Sequence, residues 1–199
     1  VNIELPQIPA YRPAGLARHR IKLTGAVFFL FLVGEMLLGF KPLNPLNLLD
    51  PWVACGTLLI FAGLALRSWA AGLLQKKEKL ATTGPYSIVR HPLYAGSVMM
   101  MFGFTALLGQ PLNFLVTALL AFVSFGLAIR GEEKFLASKF GADWDTYIRR
   151  TNALIPTRMS FDFQDPWTIG RWFANREYNA WLGSSLGWLG LLAWHFWKA

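Results

Sequence analysis

Acidic residues are scarce in this chain, with 11 Asp and Glu against 19 Lys and Arg in 199 residues. Charge of either sign makes up only 15% of the sequence, 54% is hydrophobic, and the mean hydropathy of +0.38 is too apolar for an ordinary soluble domain. Cysteine occurs once, as Cys55, which excludes a disulfide framework or a thiolate metal cluster within one chain. Cys55 sits among small apolar residues, where packing is its expected role. The three histidines, His19, His91 and His195, are scattered and offer no metal-ligand spacing. There is no internal repeat, low-complexity tract or long linker, so residues 1–199 are read as one domain.

What the chain has in quantity is long apolar runs. Residues 23–40, 52–74, 93–108, 112–129 and 180–197 approach the roughly 20 residues that cross a bilayer as helix. The predicted fold is therefore an all-α, polytopic membrane bundle of about five transmembrane helices. The third and fourth runs are short and separated only by Gly109-Gln110-Pro111, which predicts a tight helical hairpin, thin or tilted in the bilayer. Residues 1–22 are polar, with Pro6, Pro9 and Pro13 before a basic stretch ending at Lys22. They read as a juxtamembrane segment and not as a cleaved signal peptide.

Basic residues set the orientation. With a cytoplasmic N-terminus, sixteen of the nineteen fall on that side, Lys41 and Lys198 fall on the other, and Arg67 lies within a span. The net charge of +8 then reflects topology and contact with anionic headgroups, and requires no nucleic-acid partner. The two cytoplasmic segments, 75–91 and 130–179, carry nearly all the ionisable groups, so an active site is expected there. The helix of the fourth run is predicted to continue past the membrane to Lys139. Gly141 follows as its stop, and a short helix begins near Asp143 and is ended by Pro156.

Residues 84–96, Gly-Pro-Tyr-Ser-Ile-Val-Arg-His-Pro-Leu-Tyr-Ala-Gly, are the most informative stretch. Pro92 suits the first position of a helix, where its missing N–H costs nothing. The amides of Leu93, Tyr94 and Ala95 would then point back towards Arg90 and His91. Two such side chains beside a helix N-terminus make a receptor for a carboxylate or phosphate. Downstream, Glu132 and Glu133 occupy adjacent positions about 100° apart on a helix. The expected arrangement turns one inward and leaves the other to solvent or to Lys134 or Lys139; the alternative is a solvated exit turn. Arg67 and Glu35 are ionisable residues inside spans, where an unpaired charge costs several kcal/mol. Arg67 either snorkels to the interface or points into a polar pocket, and its depth allows a pair with Glu35 only through extended side chains. The last run carries Gly183, Gly187, Gly190 and several tryptophans, a packing surface within the bundle or across a homodimer.

These pieces together resemble the integral-membrane methyltransferases of the isoprenylcysteine carboxyl methyltransferase and phospholipid N-methyltransferase superfamily. The resemblance rests on Leu66-Arg67-Ser68-Trp69-Ala70, Thr83-Gly84-Pro85-Tyr86 and Arg90-His91-Pro92-Leu93-Tyr94-Ala95-Gly96. It continues through Glu132-Glu133, Phe140-Gly141, Trp144, Tyr147, Arg150 and Leu154-Ile155-Pro156, covering about residues 52–156. Residues 157–199 form an extension beyond it, and Asn152 stands where prenylcysteine enzymes have a proline two residues after the arginine.

The resemblance implies S-adenosylmethionine as cofactor, bound at the cytoplasmic face, and a lipophilic or lipidated acceptor entering from the membrane. Its site would use Tyr86, Arg90, His91, Pro92, Tyr94, Gly96, Glu132, Glu133 and Tyr147 for the cofactor. Arg90 and His91 suit the carboxylate of its methionine end, and Glu132 or Glu133 the ammonium. Tyr86 and Tyr94 line the adenosine or methionine site, and Gly96 allows close approach. Arg150 and Arg67 are the candidate acceptor-binding residues, with Arg150 and Glu133 the candidate catalytic ones. A membrane reductase using NADPH, of the sterol-reductase type, is the alternative enzyme. A non-enzymatic protein binding anionic lipid is the alternative outside catalysis.

Overall fold

The architecture comes from a computed structural model, which describes residues 16–75, 79–156, 162 and 164–197, apart from the side chains of 16–25 and 27. Residues 1–15 of the juxtamembrane segment lie outside the described residues, as do Lys76, Lys77, Arg158 and Lys198 of the basic tally. The chain runs α1 (Leu16–Leu37), α2 (Pro51–Leu73), a 3-10 turn (Gly84–Ser87), α3 (Pro92–Leu108), α4 (Pro111–Phe140), α5 (Ala142–Ile148), α6 (Ile169–Ala174) and α7 (Tyr178–Trp197). No strand occurs among the described residues; one isolated parallel bridge joins Val89 to Asn152. α2 and α4 are long and apolar enough to cross a membrane, and α1 and α3 carry shorter apolar helices, Phe28–Leu37 and Pro92–Leu108. At 1.5 Å per residue the 17 residues of α3 rise roughly 25 Å, short of a hydrocarbon core of about 30 Å.

Local sequence fixes the helix ends. Asp50 caps α2, its carboxylate accepting from the amides of Trp52 at 2.8 Å and Val53 at 3.4 Å, and Pro51 takes the first helical position. Gly109 ends α3 in a left-handed conformation at φ 73°, and Pro111 starts α4 two residues later. This is the tight hairpin expected. α4 runs on to Phe140, Gly141 at φ 49° stops it, and α5 follows at once. α5 ends at Ile148, well before Pro156, because Asn152 and Ala153 leave the helix to pair through their carbonyls with the amides of Arg90 and His91.

α2 and α3 form the spine of the bundle. Gly56 and Gly63 on α2 face Gly103 and Gly96 on α3: a Cβ on Gly63 would lie 2.5 Å from the Gly96 carbonyl oxygen, and one on Gly56 2.7 Å from that of Gly103. Backbones approach this closely only where no side chain intervenes. Around the crossing, Val53, Ile60, Leu64, Leu107, Leu108 and Leu191 make the apolar core. The glycines of the last helix are used less: a Cβ on Gly183 or Gly190 would meet nothing within 4 Å, and one on Gly187 would lie 3.3 Å from the Phe104 ring. Large apolar side chains such as Leu58, Phe61, Leu119, Phe122 and Leu186 point outward, as lipid-facing surfaces do.

Candidate functional site

The site forms where α2 ends, α3 begins and α4 passes beyond its apolar stretch. Pro92 takes the first position of α3 and His91 its N-cap. The amides of Tyr94 and Ala95 both donate to the His91 carbonyl, at 3.0 and 2.9 Å. The expected receptor of free helix amides is therefore largely absent, because the turn that starts α3 satisfies its own donors.

Arg90 and His91 instead meet carboxylates directly. Arg90 holds Glu133 Oε1 through Nε at 2.9 Å and Nη2 at 2.8 Å, and donates through Nη1 to the Thr151 carbonyl. Its guanidinium carbon stands 6.0 Å from the Trp144 ring centroid, a cation–π contact. His91 is 5% exposed. Its Nε2 lies 3.2 Å from Glu133 Oε1 and its Nδ1 3.8 Å from Glu132 Oε2. The Tyr94 hydroxyl donates to Glu132 Oε2 at 2.8 Å. Both glutamates thus engage the start of α3, which corrects the expectation that one would turn away. Side chains about 100° apart on α4 can both engage α3 because His91 Nε2 meets Glu133 while the Tyr94 hydroxyl reaches Glu132.

Burial pushes His91 below its ordinary value against the opposing pull of Glu132 and Glu133. The ring is accordingly neutral near pH 7 and donates to Glu133 through Nε2. Tyr86 and Tyr147 are pushed up by burial, Tyr86 further by the charge of Glu132. The Tyr147 hydroxyl donates to the Tyr86 carbonyl at 2.7 Å. The Tyr86 hydroxyl is buried without a partner.

A cavity of about 350 Å³ opens among these residues, within the size range of small-molecule sites. Arg90, His91, Tyr94 and Glu132 form one wall, Tyr86, Trp144 and Tyr147 another, with Lys79, Phe135 and Lys139 also lining it. It offers a basic group and a carboxylate to one ligand, and a polar ligand of mixed charge fits that set.

Five candidates stand off the cavity wall. Pro92 is buried as the first residue of α3, and Glu133 lies behind Arg90 and His91. Gly96 gives close approach to α2 and not to the cavity: a Cβ there would meet the Gly63 carbonyl oxygen and Arg67 Cγ, both at 2.6 Å. Arg150 is exposed on the turn after α5 and is not part of the cavity wall. Arg67 neither snorkels nor pairs with Glu35, whose carboxyl faces Asn113. Its guanidinium is engaged by Glu177, at 2.8 Å from Nε and 2.9 Å from Nη2, and by the Leu93 carbonyl and Ser97. Arg67 also lies off the cavity wall, and its partner Glu177 is only 2% exposed, so it offers no edge to an acceptor.

The C-terminal segment was absent from the expected site and proves to brace it. Trp167 donates to the Ser68 carbonyl, the Thr168 amide to that of Gly72, and the Asn175 side chain to those of Ala71 and Leu74. The Ala71 and Gly72 carbonyls are among those that the end of α2 leaves open. Asp165 accepts from Lys79 at 3.1 Å and Thr83 at 2.9 Å, and both partners hold it below the usual carboxylate range. Thr168 before a short apolar run was the one cap signal available for α6.

Residues 52–143 match the family described as phospholipid methyltransferase. The chain is 30% identical over 156 residues to the cobalt-zinc-cadmium resistance protein CzcN of Cupriavidus metallidurans, covering 77% of this chain and 71% of that protein. It is 29% identical over 179 residues to the nickel-cobalt-cadmium resistance protein NccN of Alcaligenes xylosoxydans xylosoxydans, covering 85% and 81%. A protein-S-isoprenylcysteine O-methyltransferase of Schizosaccharomyces pombe is 32% identical over 98 residues, 49% of this chain and 42% of the enzyme. No solved structure matches. With the matched block carrying the cavity's Tyr86, Arg90, His91, Tyr94 and Glu132, the chain belongs to the integral-membrane methyltransferase superfamily of the phospholipid and isoprenylcysteine methyltransferases.

Proposed function

We propose that the protein transfers a methyl group from S-adenosylmethionine to a lipophilic acceptor, a prenylcysteine-type carboxylate, a phospholipid amine or a related isoprenoid lipid. The reaction takes place at the cytoplasmic face of a five-pass membrane bundle. The observation that carries this reading is a cavity whose wall sets Arg90 and His91 beside the carboxylate of Glu132, with Glu133 paired to Arg90 behind that wall. The methionine end of the cofactor is a zwitterion, so exchanging it into the Arg90–Glu133 pair leaves local charge balanced: its carboxylate takes donors of Arg90, its ammonium takes Glu133 or Glu132. A dinucleotide phosphate would instead bring negative charge against two glutamates.

Bound there, the cofactor supplies a sulfonium methyl that passes to the acceptor's nucleophilic atom, the sulfur–carbon electron pair returning to sulfur. The protein's part is positioning and exclusion of water. Neutral His91 holds Glu133 in place, Tyr94 holds Glu132, and Trp144 and Phe135 dry the walls. For an amine acceptor Glu133 can take the proton released; for a carboxylate, exposed Arg150 can hold the anion at the rim.

The isoprenylcysteine relative's name speaks for a lipidated acceptor. The names of the two other relatives speak of metal resistance; among the described residues no three His, Cys, Asp or Glu side chains are placed to hold a metal ion. Incubating the membrane-embedded protein with methyl-labelled S-adenosylmethionine and membrane lipid extract should place label in a lipid. Arg150→Ala should bind S-adenosylhomocysteine as wild type does and transfer less label. No labelled lipid or lipidated species with any extract would overturn the reading.

A further inference from the structure

Glu177 lies on the turn between α6 and α7, is 2% exposed, and gives each carboxylate oxygen to a different nitrogen of Arg67. The remaining Arg67 nitrogen, Nη1, donates to the Leu93 carbonyl at 3.1 Å and to Ser97 Oγ at 2.6 Å. Ser97 in turn donates to the Leu93 carbonyl at 2.9 Å. Leu93 belongs to the first turn of α3, between His91 and Tyr94, the two residues that meet the glutamates of α4. The arginine stem fills the space left beside Gly96, where a Cβ would strike Arg67 Cγ. Neither Arg67, Ser97 nor Glu177 lines the cavity.

The planar fork of Arg67 is thus fixed on one edge by Glu177 and holds the opening turn of α3 with the other. A fork oriented at several donors loses little freedom when it binds and sets its partners' geometry tightly. We infer that Glu177 and Arg67 are positioning residues: through the Leu93 carbonyl they set the register of the α3 start, and with it the His91–Tyr94 wall of the cofactor cavity. The C-terminal extension is then a working part of the site, and Arg67 is not a contact for the acceptor. The inference rests on the proposed cofactor reading for its affinity readout alone.

Replacing a buried ion pair by apolar residues of similar size is often neutral for stability, which separates positioning from mere support. In Arg67→Met/Glu177→Leu the thermal midpoint should stay near that of wild type. Its affinity for S-adenosylhomocysteine should fall about tenfold, as expected when one well-placed charge-assisted bond is misaligned. Hydrogen exchange should rise in peptides covering residues 91–97 and not in those covering 56–63. Arg67→Lys keeps the charge and loses the fork, and should show the same changes at smaller amplitude; it decides the matter if the double variant does not fold. Wild-type affinity together with wild-type exchange at 91–97 would overturn the inference. If the wild-type protein itself binds no S-adenosylhomocysteine, the cofactor reading falls, and exchange at 91–97 alone decides the positioning role.

Discussion

Two arginines, Arg90 and Arg67, each meet one glutamate at 2.8 Å, yet they sit in regions built for different ends. Beside the cavity, Glu133 is 27% exposed and shared between Arg90 and His91, both of which line the wall, so a ligand that reaches Arg90 can exchange with its partner. At the anchor, Glu177 is 2% exposed and locked through both carboxylate oxygens to one edge of a guanidinium. The same chemical pair therefore serves as a replaceable contact in one place and as a fixed joint in the other. What separates them is access. A pair open to a cavity can trade its partner for a zwitterion at little electrostatic cost, whereas breaking a buried pair strands a charge.

That contrast can be broken by removing one carboxylate at a time. Glu177→Gln leaves the guanidinium of Arg67 uncompensated and should cost about 3 kcal/mol of stability, at the low end for buried pairs because Arg67 keeps some solvent contact. A chemical or thermal unfolding midpoint of the detergent-solubilised protein would report it. Glu133→Gln should move that midpoint much less, and should weaken S-adenosylhomocysteine by about 10- to 100-fold, the worth of one charge-assisted bond. Equal effects of the two variants on stability would erase the distinction between joint and contact.

The smallest effect sharpens the cavity side. His91 has its folded value lowered from 6.5 by burial, so the unfolded chain takes up a proton first as pH falls. Its contribution to stability is complete above about pH 6.5 and declines below it. Thermal midpoints measured from about pH 8 to pH 5 should fall on the acidic side in wild type, and by less in His91→Asn. A parallel decline in both would remove His91 as its source.

Much of this was readable from the sequence. The five apolar runs match the five long helices, the first overrunning α1 by three residues and the second α2 by one, and Gly109-Gln110-Pro111 makes the hairpin expected of it. Tyr86, Arg90, His91, Tyr94, Glu132 and Tyr147 come to one cavity, since motif spacing and helix continuity are local properties. What was missed is tertiary. Glu177 lies 110 residues from Arg67, and no periodicity links two such positions. The glycines that matter most for packing, Gly63 and Gly96, are single small residues on separate helices, while the conspicuous spacing in the last helix does less. At the start of α3 the sequence shows the amides but not that the His91 carbonyl satisfies two of them.

The proposal that the cavity between α3 and α4 holds the amino-acid end of S-adenosylmethionine is tested most directly by calorimetric titration of the detergent-solubilised protein with S-adenosylhomocysteine and, separately, with NADPH. Saturable 1:1 binding of S-adenosylhomocysteine that Glu133→Gln weakens is expected, with no binding of NADPH. Binding of NADPH without S-adenosylhomocysteine would contradict it.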